Sequence, residues 1–273
     1  MSHLFFADDN LLFCRANLSQ WDALTRLLWL YEEASRQRLN NNKTAIYFSQ
    51  NTSMEEKATI LEVLGLPSIQ CYDTYLGLPA MVGKSGTAAF KGIVDKVWKR
   101  LQDWKLKFLS QAGKEILLKS VIQAIPTYCM SIFLFPKTLC SKINSLMQHF
   151  WWKKSNNESN VHWMSWSCMG RRKDDGGLDF RDFQCFNKAL LAKQSWRLCQ
   201  TPDSFLAKIM EGKYYSGSNI LEENLRARPF YAWRSIYGSC DLLKHGLIWW
   251  VGNRAKTRIW KDRWIPRPLT FMV

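Results

Sequence analysis

This chain of 273 residues is short of three things: paired cysteines, clustered histidines and acid. Its eight cysteines (Cys14, Cys71, Cys129, Cys140, Cys168, Cys185, Cys199 and Cys240) include no C-x-x-C pair, and its four histidines lie far apart. Neither zinc-ligand spacing nor a disulfide framework is present, so reduced, mostly buried thiols in an intracellular compartment are expected. The most apolar segment, Val121 to Phe135, is too short to cross a bilayer and is broken by Pro126, so no transmembrane helix and no membrane partner are expected. The first residues carry Asp8 and Asp9 where a signal or transit peptide would place a basic segment before an apolar stretch, which points to nucleus or cytoplasm. There is no low-complexity tract and no repeat of fixed period, and nothing marks a protein partner.

What is present is hydrophobic, aromatic and basic. With 47% hydrophobic and 14% aromatic residues the chain can bury a sizeable core in one large or two modest domains. Lysine and arginine number 38 against 23 acidic residues, a net charge of +15, which favours a polyanionic partner: nucleic acid or an anionic membrane surface. Ten basic and two acidic residues fall between Arg226 and Arg267, interleaved with Trp233, Trp249, Trp250, Trp260 and Trp264. Such tryptophans serve either as packing residues or as base-stacking platforms.

Two apolar runs joined at Ala7-Asp8-Asp9-Asn10 predict a β-hairpin with both carboxylates at its tip. Acidic tips serve turns for backbone reasons, and they also supply part of a Mg²⁺ site, since carboxylates this close repel without a cation between them. Ser19 is expected to cap a helix facing inward with Leu24, Leu27, Leu28 and Tyr31, ended by the polar segment from Asn40 to Thr44. A strand follows at Ala45 to Phe48. Ser53 and Glu56 form a capping box for a helix with Ile60, Leu61 and Leu64 inward, closed by Gly65 and Pro67. Tyr75 to Pro79 reads as a short extended piece.

From Thr87 the period becomes helical, with Phe90, Ile93, Val94, Val97, Trp98 and Leu101 on one stripe. A helix from Ser110 carries one polar line, Glu115, Lys119 and Gln123, and Pro126 stops or kinks it. The next, after Pro136, turns Leu139, Ile143, Leu146, Met147 and Phe150 inward. Arg171 to Gly177 is a charged loop ending in a glycine turn, and helices are expected at about 182 to 199 and 204 to 213.

Taken in order, these segments resemble the C-terminal half of a reverse transcriptase from a plant non-LTR (LINE-type) retrotransposon. Phe6-Ala7-Asp8-Asp9 resembles the active-site hairpin, and Ala34 to Thr44 the next palm motif, in which Lys43 would assist pyrophosphate departure. Tyr75, Leu76 and Gly77, with Leu78 and Pro79, resemble the primer grip. Leu109 to Lys114, Lys119 to Val121 and Ala124 to Pro126 resemble the helical thumb. Trp163 to Trp166, Gly176-Gly177-Leu178 with Phe180 to Asp182, Ala189 to Gln194 and Ala232 to Ile236 resemble the linker that follows in these elements. Arg36 and Asp179 stand where the family usually has glycine, so altered backbone geometry is expected there.

The resemblance implies an α+β fold: a partial palm at 1–82, a helical thumb at 83–152 and a basic, Trp-rich linker at 153–273. It implies an RNA template and a DNA primer as partners, bound by basic residues among which Lys99, Arg100, Lys105, Lys107, Lys114, Arg171, Arg172 and Lys173 are candidates. It also implies Mg²⁺ held by Asp8 and Asp9 in the intact enzyme, with Asp8, Asp9 and Lys43 catalytic. The family's first catalytic aspartate and its fingers would lie upstream of Met1, and its zinc-knuckle and ribonuclease H segments beyond Val273. The expectation is therefore a fragment that does not polymerise DNA alone and whose first 80 residues are marginally stable. A non-catalytic single-strand-binding module is the alternative.

Overall fold

The computed structural model describes residues 2–7, 9–40, 44–49, 51–64, 68–69, 74–79, 82, 86–105, 109–153, 161–215, 220–221, 229–248 and 265. The fold is α+β and mostly helical, and the chain divides into two compact units, Met1–Gly83 and Lys84–Val273.

All strands of the described residues lie in the first unit. Strands β1 (Ser2–Phe6) and β2 (Asp9–Phe13) form an antiparallel hairpin in which Phe6 faces Asp9, and Ala7 leaves the first strand as a turn residue. Asp9 is therefore the first residue of a strand, a correction to its placement at the tip; Asp8 lies outside the described residues. Ala7 has a φ of 48°, the left-handed geometry that matches a two-residue turn to strand twist.

Helix α1 (Leu18–Ser35) is capped by Asn17, whose side chain accepts from the Gln20 amide, and not by Ser19. Its inward line runs through Gln20, Leu24, Leu28 and Glu32, spaced by four; Leu27 and Tyr31, expected inward, sit on the adjoining face and are exposed. The helix ends at Ser35, earlier than expected, because Arg36 turns left-handed (φ 58°) and sends the chain back over the last turn. The Leu39 amide then donates to Glu32 Oε1 at 2.6 Å, and the Tyr31 hydroxyl donates to Gln37 Oε1 at 2.8 Å.

Strand β3 (Ile46–Tyr47) pairs in parallel with β4 (Ser68–Ile69). Between them, α2 (Met54–Leu64) opens with the expected reciprocal box: the Ser53 amide donates to Glu56 Oε2, and the Glu56 amide to Ser53 Oγ. Gly65 and Pro67 lie outside the described residues. Strands β5 (Thr74–Tyr75) and β6 (Leu78–Pro79) make a second hairpin in place of the single extended piece expected. Leu76 (φ 51°) and Gly77 (φ 74°) form its turn, a pair of left-handed residues that an extended reading does not anticipate. Among the described residues of this unit, only Leu24 and Ile60 are buried hydrophobics, while Phe6, Trp29 and Leu30 are each at least 60% exposed.

The second unit is helical. Short α3 (Gly86–Ala89) breaks at Phe90, which packs on Phe133, Phe135 and Tyr231, before α4 (Lys91–Lys105), which packs on α7 (Lys137–Trp152); Val94, Val97 and Leu101 on the first helix and Leu139, Ile143, Met147 and Phe150 on the second are buried. Trp98, expected in this stripe, is half exposed: it lies one position past Val97 and leaves the buried face. Helix α5 (Gln111–Leu117), capped by Ser110, passes into a π-helical turn, Leu118–Ile122, in which the Gln123 amide bonds to the Leu118 carbonyl. That extra residue per turn rotates Gln123 off the polar line and into the core, where it is 1% exposed and its Nε2 has no partner. Pro126 precedes α6 (Thr127–Met130).

After α8 (Trp166–Met169) the loop closes on itself: the Leu178 amide donates to the Met169 carbonyl and the Asp179 amide to that of Arg171. A β-carbon at Gly177 would collide with the Arg171 carbonyl, so this position admits no side chain. Asp179 itself is left-handed (φ 54°).

Helix α9 (Phe183–Gln200), capped by Asp182, is the central strut. Leu191 and Leu198 join residues of α10 (Phe205–Tyr214), α11 (Tyr231–Tyr237) and α12 (Cys240–Gly246) in a core where Trp233 stacks on Tyr214 at 4.8 Å and 4°. Trp233 is thus a packing residue; Trp249, Trp250, Trp260 and Trp264 lie outside the described residues. On the same buried stripe of α9, Asn187 accepts from the Phe135 amide at 2.7 Å and donates to the carbonyls of Met130 (2.7 Å) and Phe133 (3.0 Å). Burial pushes the Cys129 thiol up to about 12 and those of Cys140 and Cys199 to about 11, so all three stay protonated at neutral pH. No helix of the described residues is long and apolar enough to cross a membrane.

Two outcomes are expected in denaturation monitored by circular dichroism. Asn187→Ala strands three buried backbone groups and is expected to cost about 3 kcal/mol or more. Arg36→Gly and Asp179→Gly each relieve a left-handed L-residue and are expected to stabilise by about 1 kcal/mol; a loss of stability in either would show that its side chain supports the turn.

Candidate functional site

A hairpin presents alternate residues to opposite faces, so the register fixes what surrounds Asp9. Asp9 shares a face with Leu11, Phe13, Phe6 and Leu4. Its carboxylate is exposed at the end of this apolar strip. Asp8 and Lys43 lie outside the described residues. Among the described residues no three His, Cys, Asp or Glu side chains form a group able to hold a metal ion. Asp9 alone makes an incomplete donor set for Mg²⁺, which takes one or two carboxylates and completes its shell with substrate phosphates and water. Tyr75, Leu76 and Gly77 form the turn side of the second hairpin, with Tyr75 and Leu76 half-buried.

In the second unit, the basic residues expected to meet nucleic acid divide by what they already hold. Lys99 and Arg100 are exposed on α4; the backbone of Lys105 ends that helix, and Lys107 lies outside the described residues. Lys114 is half-buried and donates to the carbonyls of Trp151 (3.2 Å) and Lys153 (2.7 Å), closing the C-terminal end of α7 where a cation complements the helix dipole. Its ammonium also lies 5.7 Å from the Phe150 ring centroid, and burial lowers its pKa. Lys114 thus has a structural duty inside the fold.

Glu115 is the residue that motif resemblance does not single out. Its Oε1 accepts from Lys119 at 2.7 Å and pairs with Lys173 at 3.3 Å, tying the 171–177 loop to α5. The i, i+4 spacing of Glu115 and Lys119 was the available signal; the link to Lys173 crosses 58 residues and has none. Lys119 also covers Phe180, 5.5 Å from its centroid, and Phe180 stacks on Trp166 at 4.8 Å. Arg172 pairs with Asp174 at 3.3 Å on the surface, and Arg171 is exposed. The structure therefore brings Lys114, Lys119 and Lys173 around α5, in a frame of aromatic rings, and leaves Lys99 and Arg100 on their own helix.

Two relatives from Arabidopsis thaliana are similar to this chain. An uncharacterized mitochondrial protein is 43% identical over 143 residues, which is 52% of this chain and 93% of the relative. The chain belongs to the family of that mitochondrial protein. A putative ribonuclease H protein is 30% identical over 191 residues, 69% of this chain but 31% of the relative, so the matched sequence corresponds to under a third of that longer protein. No family model matches the chain.

The ammonium of Lys119, and after it Lys173, holds the Glu115 carboxyl below its ordinary value of 4.5. A depressed acid contributes stability that is complete above the ordinary value and is lost as pH falls through the lowered one. Urea denaturation of wild type and Glu115→Gln between about pH 3 and pH 7 is therefore expected to show wild type more stable near neutrality, with the gap closing below pH 4.5. A gap independent of pH would show that the contribution is not ionic.

Proposed function

We propose that this chain is a segment of a retrotransposon RNA-directed DNA polymerase, and that in isolation it binds single-stranded nucleic acid without polymerising it. The observation that carries the reading is the aromatic-Ala-Asp-Asp sequence at an antiparallel hairpin in which Phe6 ends the first strand and Asp9 opens the second. The similarity to a protein named as a putative ribonuclease H, an activity on nucleic acid, supports a transposon-related origin in the same direction. In this reading residues 1–82 are part of a palm, 83–152 a thumb and 153–273 a linker. Asp8 and Asp9 hold Mg²⁺ in the whole polymerase, Lys43 assists departure of pyrophosphate, and Tyr75 to Gly77 grip the primer.

Two-metal phosphoryl transfer places one cation at the attacking hydroxyl and a second at the leaving oxygen, and needs carboxylates that bridge both. In this reading the isolated chain does not polymerise, because the resemblance places the carboxylate partner of Asp8 and Asp9 in the segment that carries the family's first catalytic aspartate. The net charge of +15 and the exposed Lys99, Arg100, Arg171 and Arg172 favour retained binding.

Purified protein with a primed RNA template and Mg²⁺ is expected to give no extension; extension abolished by Asp8→Ala would overturn this. Binding to single-stranded RNA is expected to weaken with salt, with a log–log slope of about −0.7 per phosphate neutralised, and undetectable binding at about 50 mM salt would remove the binding half of the proposal.

A further inference from the structure

The glycine turn at 176–177 borders an open cavity of about 290 Å³. Trp151, Trp152, Met164, Met169 and Leu178 supply its apolar lining, and Gln111 and Gly176 complete it. Flat indole faces and polarisable thioethers suit a flat aromatic guest, while so apolar a lining offers nothing to a bare phosphate or a metal ion. The side-chain amide of Gln111 can both donate and accept, as the edge of a heterocycle requires.

The surroundings supply what the cavity lacks. His162 stacks on Trp152 at 22°, and the next residue, Trp163, is 80% exposed, between that stack and the lining residue Met164. Basic residues adjoin its lining along the chain: Lys173, which reaches Glu115 one helical turn on from Gln111, and Arg171 and Arg172, which begin the loop that delivers Gly176. An apolar slot, an exposed indole and a basic border together have the chemistry of a single-strand platform, in which bases stack on aromatic rings and the backbone follows positive charge.

We infer that this cavity receives one unpaired base of a single-stranded polynucleotide, with Trp163 stacking on the neighbouring base and Arg171 and Arg172 meeting the phosphates. The inference rests on the binding reading above and gives it a location. It also accounts for the glycine pair, since Gly177 permits the close approach to Arg171 that seats the loop, and Gly176 leaves its own stretch of wall without a side chain.

The test uses the full chain, a fluorescein-labelled 12-nucleotide oligo(U) and an abasic ribose-phosphate chain of the same length, with affinity read by anisotropy at two salt concentrations. Trp163→Ala removes an exposed ring, and Met164→Trp fills the cavity from a residue 39% exposed. Each is expected to weaken oligo(U) binding about tenfold with the salt slope unchanged, and neither should alter binding of the abasic chain. Arg172→Ala is expected to weaken both probes and flatten the slope. If wild type binds oligo(U) and both variants match it, the binding reading stands and this site does not. If wild type prefers neither probe, base capture is overturned, and if it binds neither, both proposals fall together.

Discussion

The helical unit depends on one side chain meeting three backbone groups. Between Met130 and Phe135 the chain is neither helix nor strand, so its amide and carbonyl groups have no repeating partner, yet Met130, Phe133 and Phe135 are buried. Asn187 supplies a carbonyl to the Phe135 amide and an amide to two carbonyls, using donor and acceptor in the geometry that an asparagine has and an aspartate lacks. Buried polar backbone is tolerated only when paired, and without this clamp the connection between α6 and α7 could not lie against α9. Two turns further along, the same helix fixes α11, where the Ser195 hydroxyl donates to the Ile236 carbonyl.

Around that clamp, charge is used structurally before any is left for a partner. Lys114 closes α7, Glu115 holds Lys119 and Lys173, and aromatic rings cover the ammonium groups. A basic chain is thus not uniformly a basic surface. The groups left facing solvent, such as Lys99, Arg100 and Arg171, are separated from those engaged in the fold by three-dimensional neighbours that composition does not record.

Local chemistry was legible in the sequence wherever partner and residue lie within a few positions. The Ser53–Glu56 box, the helix starts near 110 and 182, the first hairpin and the Leu139 to Phe150 face all follow from spacing. Three kinds of feature did not. The π-turn at Leu118–Ile122 shifts the register by one residue, which buried Gln123 against its apparent pattern. Left-handed Leu76 hid a second hairpin because leucine is not a turn residue by propensity. Arg36 and Asp179 adopt left-handed φ values of 58° and 54°, which neither residue type signals by propensity. The candidate site divides in the same way: its acidic hairpin is read from six adjacent residues, whereas Glu115 acquires Lys173 only through folding.

The Asn187 bonds span 52 to 57 residues, and the Tyr231 hydroxyl reaches the Leu134 carbonyl across 97. Both seal the same irregular connection from different helices. Contacts so distant along the chain carry the largest loop-closure entropy and determine how fast a helical protein folds. Helices α6, α7 and α9 can form from local information, but the segment joining the first two is held only after the chain has returned to it twice. During synthesis the ribosome releases residue 134 long before residue 231, and in that interval the buried face of the connection stays open to whatever else can cover it.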